Sequence, residues 1–388
     1  MPTETFNFDR PTSRLGSGSY KWDEHPGPVP MWVADMDFET APCVIEALRR
    51  RVDHGIFGYT LVTDAYYEAL TGWFASRHGF SFGRGDVIYT SGVVPAISAI
   101  IKALVRPGDG VIVQTPVYNC FFSSIRNNGC RIVENPLMRE DTAEGEFTYR
   151  MDFDGLERLC ADPANTMLIL CNPANPAGRL WTTDELTRLR DIAARHGVRV
   201  VSDEIHCELT PPGENYTPYG PIDPEAIVCL SPSKAFNTAG LQIANIVCRD
   251  EASRALIDRA ININEVCDVN PFGVEGLKAA YSPEGAAWLD ALRRYLHSNW
   301  LAARDILRRE LPDCPVCRLE ATYLVWVDVS ALMDRTTDIA DLLEHEAGVR
   351  VSPGAMYGDP RFIRLNIAMQ RDRMEAALHA VCKTLSKL

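Results

Sequence analysis

The chain reads as an α/β protein: a large unit built on a mostly parallel sheet, with a smaller α+β unit after it. Two observations predict this. From about residue 87, short apolar runs without polar alternation recur between helical stretches, the pattern of parallel strands covered on both faces. From about residue 285 the texture changes to a long amphipathic helix followed by strand-like and helical segments in turn. The length, 388 residues, suits two such units better than one small domain. The expected large unit is 46–280, and the small one combines 1–45 with 281–388.

Residues 1–30 are rich in Pro, Gly and Ser without periodicity, so they are expected to form an extended arm. Helical spacing appears in 42–54 (Val44, Ala47, Leu48, Val52) and in 64–78 (Tyr66, Leu70, Trp73, Phe74). The strand-like runs are 87–90, 110–115, 130–135, 166–171, 198–202, 226–231 and 243–248. Helices are expected at 95–105 and at 184–196. The second opens on Thr182-Thr-Asp-Glu185, the spacing of a capping box. A helix over 285–311 follows, then a strand at 323–329, a helix near 337–347, a strand at 362–369 and a closing helix near 371–386.

Composition narrows the function. The net charge is −13, from 52 acidic and 39 basic residues, and no Lys/Arg-rich block stands out. This argues against nucleic acid or an anionic membrane as partner. No apolar run reaches the roughly 18 residues of a membrane span. The first residues lack a signal-peptide core, so the expected location is the cytoplasm. The 12 cysteines are scattered, several inside apolar runs, and read as reduced small hydrophobes. Cys314 and Cys317 form one CxxC without a second pair or nearby histidines, so no metal site is expected.

Ligands of an open parallel sheet bind beyond the carboxyl ends of its strands. After 87–90 come Ser91, Gly92, Val93 and Val94, then a helix start, a ready phosphate site. The other strand ends deliver Tyr118, Asn172, Asp203 with His206, and Ser231 and Ser233 with Lys234. Each alone has a bland reading as core, cap or turn. Together they fit pyridoxal phosphate. That cofactor needs a lysine for its Schiff base and an acid for its ring nitrogen. It also needs phosphate donors and an aromatic plate for the ring. Gly16-Ser-Gly18 has no strand before it, which leaves a nicotinamide fold poorly supported.

SDEIH (202–206), SPSKAFNTAGLQ (231–242) and NPANPAGRLWT (172–182) resemble fold-type I aminotransferase-like enzymes. PMWVADMDF, GIFGYT, TSGVVPAIS, QTPVYNCFF, VVSDEIHCEL and ATYLVWVD are similar, more narrowly, to the MalY/PatB group. That group contains cystathionine β-lyases and cystalysin, which are C–S β-lyases. The resemblance runs from about residue 5 to the C-terminus. It implies that Lys234 carries the cofactor and then acts as base at the substrate Cα. It implies that Asp203 pairs with the ring nitrogen, that Tyr118 stacks on the ring and assists proton transfer, and that Asn172 and His206 lie at the ring-hydroxyl edge. Gly92, Val93, Val94, Ser231 and Ser233 would hold the phosphate. Tyr59 would reach the phosphate of a neighbouring subunit, which implies a homodimer with shared sites. Arg364 would take the substrate α-carboxylate as a bidentate pair, with Trp32, Val33 and Ala34 lining the substrate side together with Asn172. Two positions depart from the family pattern: Ala174 stands where a His is usual, and Ala177 where a Thr is usual.

The expected reaction is α,β-elimination on cystathionine or another S-substituted L-cysteine, giving a thiol, pyruvate and ammonia. An aminotransferase would share every cofactor residue, and a non-catalytic cofactor-binding regulator is the third reading. The acidic chain carries no basic DNA-binding domain. The sequence leaves the thiol leaving group open.

Overall fold

The computed structural model describes residues 6–142, 145–263, 269–335 and 338–388. Thirteen strands carry the argument. They are β1 (Val87–Thr90), β2 (Gly110–Val113), β3 (Arg131–Glu134), β4 (Met138–Asp141), β5 (Glu146–Arg150), β6 (Asn165–Cys171) and β7 (Arg199–Asp203), then β8 (Ile227–Leu230), β9 (Ala244–Val247), β10 (Val316–Cys317), β11 (Leu324–Asp328), β12 (Ser352–Pro353) and β13 (Phe362–Asn366).

Seven of them make one sheet in the order β1-β9-β8-β7-β6-β2-β3. All neighbours from β8 through β3 run parallel, whereas β9 is antiparallel to both β1 and β8. The absence of polar alternation has a direct cause. Val111, Val113, Ile169 and Val201 face one apolar layer with Ile97, Ile100 and Ile101. Ile112, Leu168, Leu170 and Val200 face the other layer, with Leu186, Leu189 and Ile192. Both sides of each strand are buried, so both must be apolar.

The layers are helical. Helix α1 (Pro42–His54) and α2 (Asp64–His78) precede the sheet, and α3 (Val93–Leu104), α4 (Asn119–Asn127), α5 (Phe153–Cys160) and α6 (Thr183–Arg195) connect its strands. The capping box of α6 forms as its spacing requires: Thr182 Oγ1 accepts from Glu185 N–H, and Glu185 Oε2 accepts from Thr182 N–H. After β9 come α7 (Glu251–Asn262), α8 (Pro271–Ala280), α9 (Pro283–Glu310) and, at the chain end, α10 (Arg371–Leu385).

The second sheet has six strands in the order β12-β13-β11-β10-β5-β4. Two of them, β4 and β5, come from inside the stretch 46–280, and β5 pairs in parallel with β10. The sequence does not reveal β4 because its residues, MRED, are all exposed. The arm is less extended than its composition suggests. It makes a short helix at Tyr20–Asp23, and Val29–Pro30 pairs in parallel with Val349–Arg350.

Trp326 of β11 is fully buried and stacks on Phe362 of β13, with centroids 4.8 Å apart. Trp326→Ala leaves a large cavity in the apolar layer it shares with Phe147, Tyr357 and Phe362 and is expected to cost about 3–5 kcal/mol. A lower urea midpoint with unchanged slope checks it.

Candidate active site

The carboxyl edge of the first sheet builds a cavity of about 170 Å3. Ser91, Gly92, Val93 and Val94 line it from the start of α3, Tyr118 from the start of α4, Asp203 and His206 from the end of β7, and Ser233 and Lys234 from the turn after β8. Ala34 of the arm closes it. Nine strand-end positions expected to converge, together with Ala34, thus line one cavity.

Lys234 Nζ donates to the Ala34 carbonyl at 2.7 Å. Burial, reinforced by the Arg364 charge, lowers its pKa to about 8. Asp203 is buried at the end of β7. Burial raises its pKa to about 7, against the opposing effects of the Ile205 N–H and Lys234. His206 is buried as well, and burial, then the charges of Lys234 and Arg364, push it well below 6.5. It is therefore a neutral imidazole, with no hydrogen bond to its Nδ1. Burial likewise pushes the Tyr118 hydroxyl well above its usual range, with Cys120 as the next cause.

The α3 N-terminus supplies an anion seat. Its N-cap, Gly92, offers no side-chain cap, so the first N–H groups stay free. A Cβ at Gly92 would press on Pro95 Cδ at 3.3 Å. The free N–H groups and the dipole end favour a bound phosphate. Ser233 lines the same cavity, whereas Ser231 is committed to structure: its hydroxyl donates to the Ile243 carbonyl at 2.6 Å, and its Oγ accepts from Ser233 N–H at 3.1 Å. It stiffens the turn that holds Lys234.

Asn172 requires a correction. It is fully buried, and its amide donates to Glu204 Oε1 at 3.2 Å and to the Thr217 carbonyl at 2.9 Å. It does not line the cavity. Asn175, three residues on, does. The cause is Glu204, a buried carboxylate whose pKa burial raises to about 7 although four donors oppose the shift. Tyr219 N–H, Ser202, Tyr216 and Asn172 are those donors, so Asn172 is drawn inward. The repeated Asn-Pro pair in NPANP was the available signal for Asn175.

Arg364 is 4% exposed. Nη1 donates to Asn175 Oδ1 at 3.2 Å and Nη2 to the Trp32 carbonyl at 2.8 Å, while Nε has no partner. Trp32 and Val33 differ from expectation in how they contribute. The Trp32 indole donates to the Lys21 carbonyl and lies 5.1 Å from the Tyr20 ring. Its carbonyl holds Arg364, and the Val33 carbonyl accepts from Asn366. The arm therefore serves the site with backbone oxygens. Tyr59 is 96% exposed and lies outside the cavity of its own chain.

Ala174 and Ala177 are buried in the apolar layer with Trp181 and Leu186. Neither lines the cavity among the described residues. The Gly16–Gly18 turn folds onto its own chain: Gly16, Gly18 and Ser19 N–H all donate to the Asp23 carboxylate.

The chain is similar to known proteins along nearly its whole length. The family model for aminotransferase class I and II matches residues 28–381. The chain is 38% identical to cystathionine beta-lyase PatB of Bacillus subtilis, over 98% of this chain and 100% of that protein. It is 32% identical to protein MalY of Escherichia coli, over 95% and 96% of the two chains. The solved structure of cystalysin from Treponema denticola, which contains a pyridoxal 5'-phosphate cofactor, matches with TM-score 0.93 at 31% identity, covering 99% of both chains. A PLP-bound C–S lyase from Staphylococcus hominis matches with TM-score 0.92 at 32% identity, over 98% of this chain and 99% of that one.

The depressed Lys234 pKa has a defined sign: the neutral amine dominates above pH 8, not above 10.5. In cofactor-free protein, the rate at which Lys234 is trapped by an aldehyde and cyanoborohydride is expected to rise with a midpoint near 8. Peptide mapping across a pH series reads it, and a midpoint near that of a free lysine would mean the amine is solvated.

Proposed function

The chain belongs to the aminotransferase class I and II family and, within it, to the group of PatB and MalY, and from that we propose that it is a pyridoxal-phosphate-dependent carbon–sulfur β-lyase. Its substrate is cystathionine or another S-substituted L-cysteine, and its products are a thiol, pyruvate and ammonia. The observation that carries this reading is the shared cavity of Lys234, Asp203, Tyr118 and the α3 N-terminus.

The residues fit the cofactor. A lysine with a lowered pKa, a buried carboxylate, free helix N–H groups and a neutral histidine with an unpaired Nδ1 match its aldehyde, ring nitrogen, phosphate and ring edge. When bound, it supplies an electron sink for negative charge at the substrate Cα.

In this reading the side chains divide the work. Lys234 would hold the cofactor through its aldehyde, and its free amine would remove the substrate Cα proton; an amine with a pKa of about 8 is a competent base near neutral pH. The Ala34 carbonyl then offers Nζ a resting partner. Asp203 keeps the ring nitrogen protonated, which sustains the sink. Arg364 takes the substrate α-carboxylate, its orientation fixed by Asn175 and the Trp32 carbonyl. Asn175, with His206, takes the ring-hydroxyl edge that sequence reasoning gave to Asn172. Tyr118 would provide an aromatic face for the ring, and its raised pKa keeps the hydroxyl protonated, so it is suited to donate a proton to the departing sulfur.

The same reading includes a homodimer. Ile56, Phe57, Tyr59 and Leu61 are 66%, 55%, 96% and 80% exposed in one short segment, a contiguous apolar stretch of the kind that marks a contact surface. A second copy would cover it and receive Tyr59 at its phosphate site. No helix among the described residues is long and apolar enough to cross a membrane, which supports the proposed cytoplasmic location. The proposed division remains a large unit at 46–280 and a small one at 1–45 with 281–388, with β4 and β5 lent to the second sheet.

Purified yellow protein given L-cystathionine and no keto acid is expected to release pyruvate and free thiol continuously. A single half-turnover that bleaches the cofactor band without pyruvate would replace the lyase by an aminotransferase. Lys234→Ala is expected to lose at least about a thousandfold in kcat, with the fold kept by circular dichroism.

Asp203 gives a test in both directions. Its folded pKa lies above its ordinary value, so the empty folded state binds the extra proton and loses stability as pH rises from about 4 to 7. Asp203→Asn is therefore expected to raise the Tm of cofactor-free protein at pH 8 while lowering kcat at least about a hundredfold. Parallel thermal melts and pyruvate assays separate the two effects.

A further inference from the structure

Lys234 does not have the Ala34 carbonyl to itself. Its Nζ donates to that oxygen at 2.7 Å, and the Tyr323 hydroxyl donates to the same oxygen at 3.1 Å. Tyr323 is fully buried and does not line the cavity, so its route to Lys234 is this shared acceptor. Its ring meets His206 edge-on, with centroids 6.3 Å apart. Burial, then the Asp35 charge, pushes its hydroxyl well above the usual tyrosine range. It keeps its proton, and remains a donor, at any working pH.

The backbone on both sides of this contact is held tightly. Thr322, just before Tyr323, has φ +73°, a costly conformation for a β-branched residue and one that clusters at functional sites. Thr322 N–H donates to the Leu209 carbonyl at 2.7 Å, in the segment that follows His206, and Thr322 Oγ1 accepts from Leu324 N–H at 3.1 Å. Glu320 and Ala321 N–H both donate to the Gly178 carbonyl, at 2.8 and 2.9 Å. On the arm, the Asn366 amide donates to the carbonyls of Val33 and Asp35, which flank Ala34. The Ala34 oxygen is thereby fixed between the residue that opens β11 and the lysine that follows β8.

A carbonyl oxygen has two lone pairs, so it can accept both donors, and each weakens its hold on the other. Condensation of an amine with an aldehyde expels the two amine hydrogens and the aldehyde oxygen as water. Lys234 then stops donating to Ala34. Without a second donor that buried acceptor would be left unpaired, which is costly. We propose that Tyr323 is a positioning residue for Lys234: its hydroxyl keeps the Ala34 carbonyl paired when the amine leaves, and so eases the passage of Lys234 from that carbonyl to the cofactor aldehyde. This rests on the cofactor reading above. The charged and titratable groups around the amine are Arg364, Asp35, Asp203 and Cys120, with His206 and Tyr118 on the same cavity. Removing the neutral hydroxyl of Tyr323 deletes none of them.

The test compares the wild-type chain with Tyr323→Phe and Thr322→Gly. Each holoenzyme is stripped, the trapping of Lys234 is mapped across a pH series, and the dissociation constant of pyridoxal 5'-phosphate is read from absorbance. Tyr323→Phe keeps the ring and removes one hydroxyl, so the Ala34 carbonyl is left to the ammonium alone. The trapping midpoint is expected to rise by about half to one pH unit, the net worth of one hydrogen bond. Binding of pyridoxal 5'-phosphate is expected to weaken roughly five- to a hundredfold, the range for a buried acceptor left unpaired. Thr322→Gly keeps the hydroxyl and tolerates the left-handed backbone, and is expected to match the wild type in both measurements. Equal changes in the two variants would assign the effect to the turn instead of the hydroxyl. That result, or a Tyr323→Phe chain that matches the wild type in either measurement, overturns the inference alone. A wild-type chain that takes up no pyridoxal 5'-phosphate at Lys234 would overturn the cofactor reading together with it.

Discussion

The site depends on withholding water from two groups that face one another and are not paired. Lys234 and Asp203 line the same cavity, yet among the described residues no ion pair joins them. Burial brings their pKa values together, to about 8 and about 7. Each group is therefore close to losing its charge. Bound there, a cationic ring nitrogen would favour the ionised carboxylate, and an aldehyde would take up the neutral amine. The apolar layers on both faces of the sheet bury the strands whose ends carry these two groups.

A second, partly buried charge set holds the arm. Arg14 and Lys21 meet Asp35 and Asp37, with Arg14 Nη2 to Asp35 at 2.7 Å, Arg14 Nη1 to Asp37 at 3.0 Å and Lys21 Nζ to Asp37 at 3.2 Å. Two cations balance two anions, which limits the desolvation cost that buried ion pairs otherwise carry. The segment fixed in this way presents the carbonyls of Trp32, Val33 and Ala34 to Arg364, Asn366 and Lys234. The arm is thus part of the site through its backbone, and its irregular composition suits that use: a helix or sheet would have spent those oxygens on itself.

What was legible in the sequence follows from this physics. Strands buried on both faces announce themselves as apolar runs, so Asp203, Ser233, Lys234 and Tyr118 could be found by looking past each run's end. The site was legible residue by residue where one polar group follows one strand. It was not where two compete. Asn172 and Asn175 both follow β6, and only the buried Glu204 decides which turns away from the cavity. Gln242, which also lines the cavity, was illegible for another reason: its place depends on β9 running antiparallel, and an apolar run carries no direction. Strand β4 was hidden because an exposed edge needs no apolar residue.

That edge bears on how the chain reaches its structure. The second sheet joins residues 138–150 to 316–366, so β5 has no neighbour on its inner side until β10 has been synthesised. Through that interval the nascent hairpin carries open backbone donors and acceptors, the usual template for pairing with a wrong chain. Arg139, Glu140 and Asp141 occupy its outer strand, and Arg139 later joins Asp328 of β11. The charges that blunt the waiting hairpin on the ribosome thus include one that ties it down when the rest of the sheet arrives.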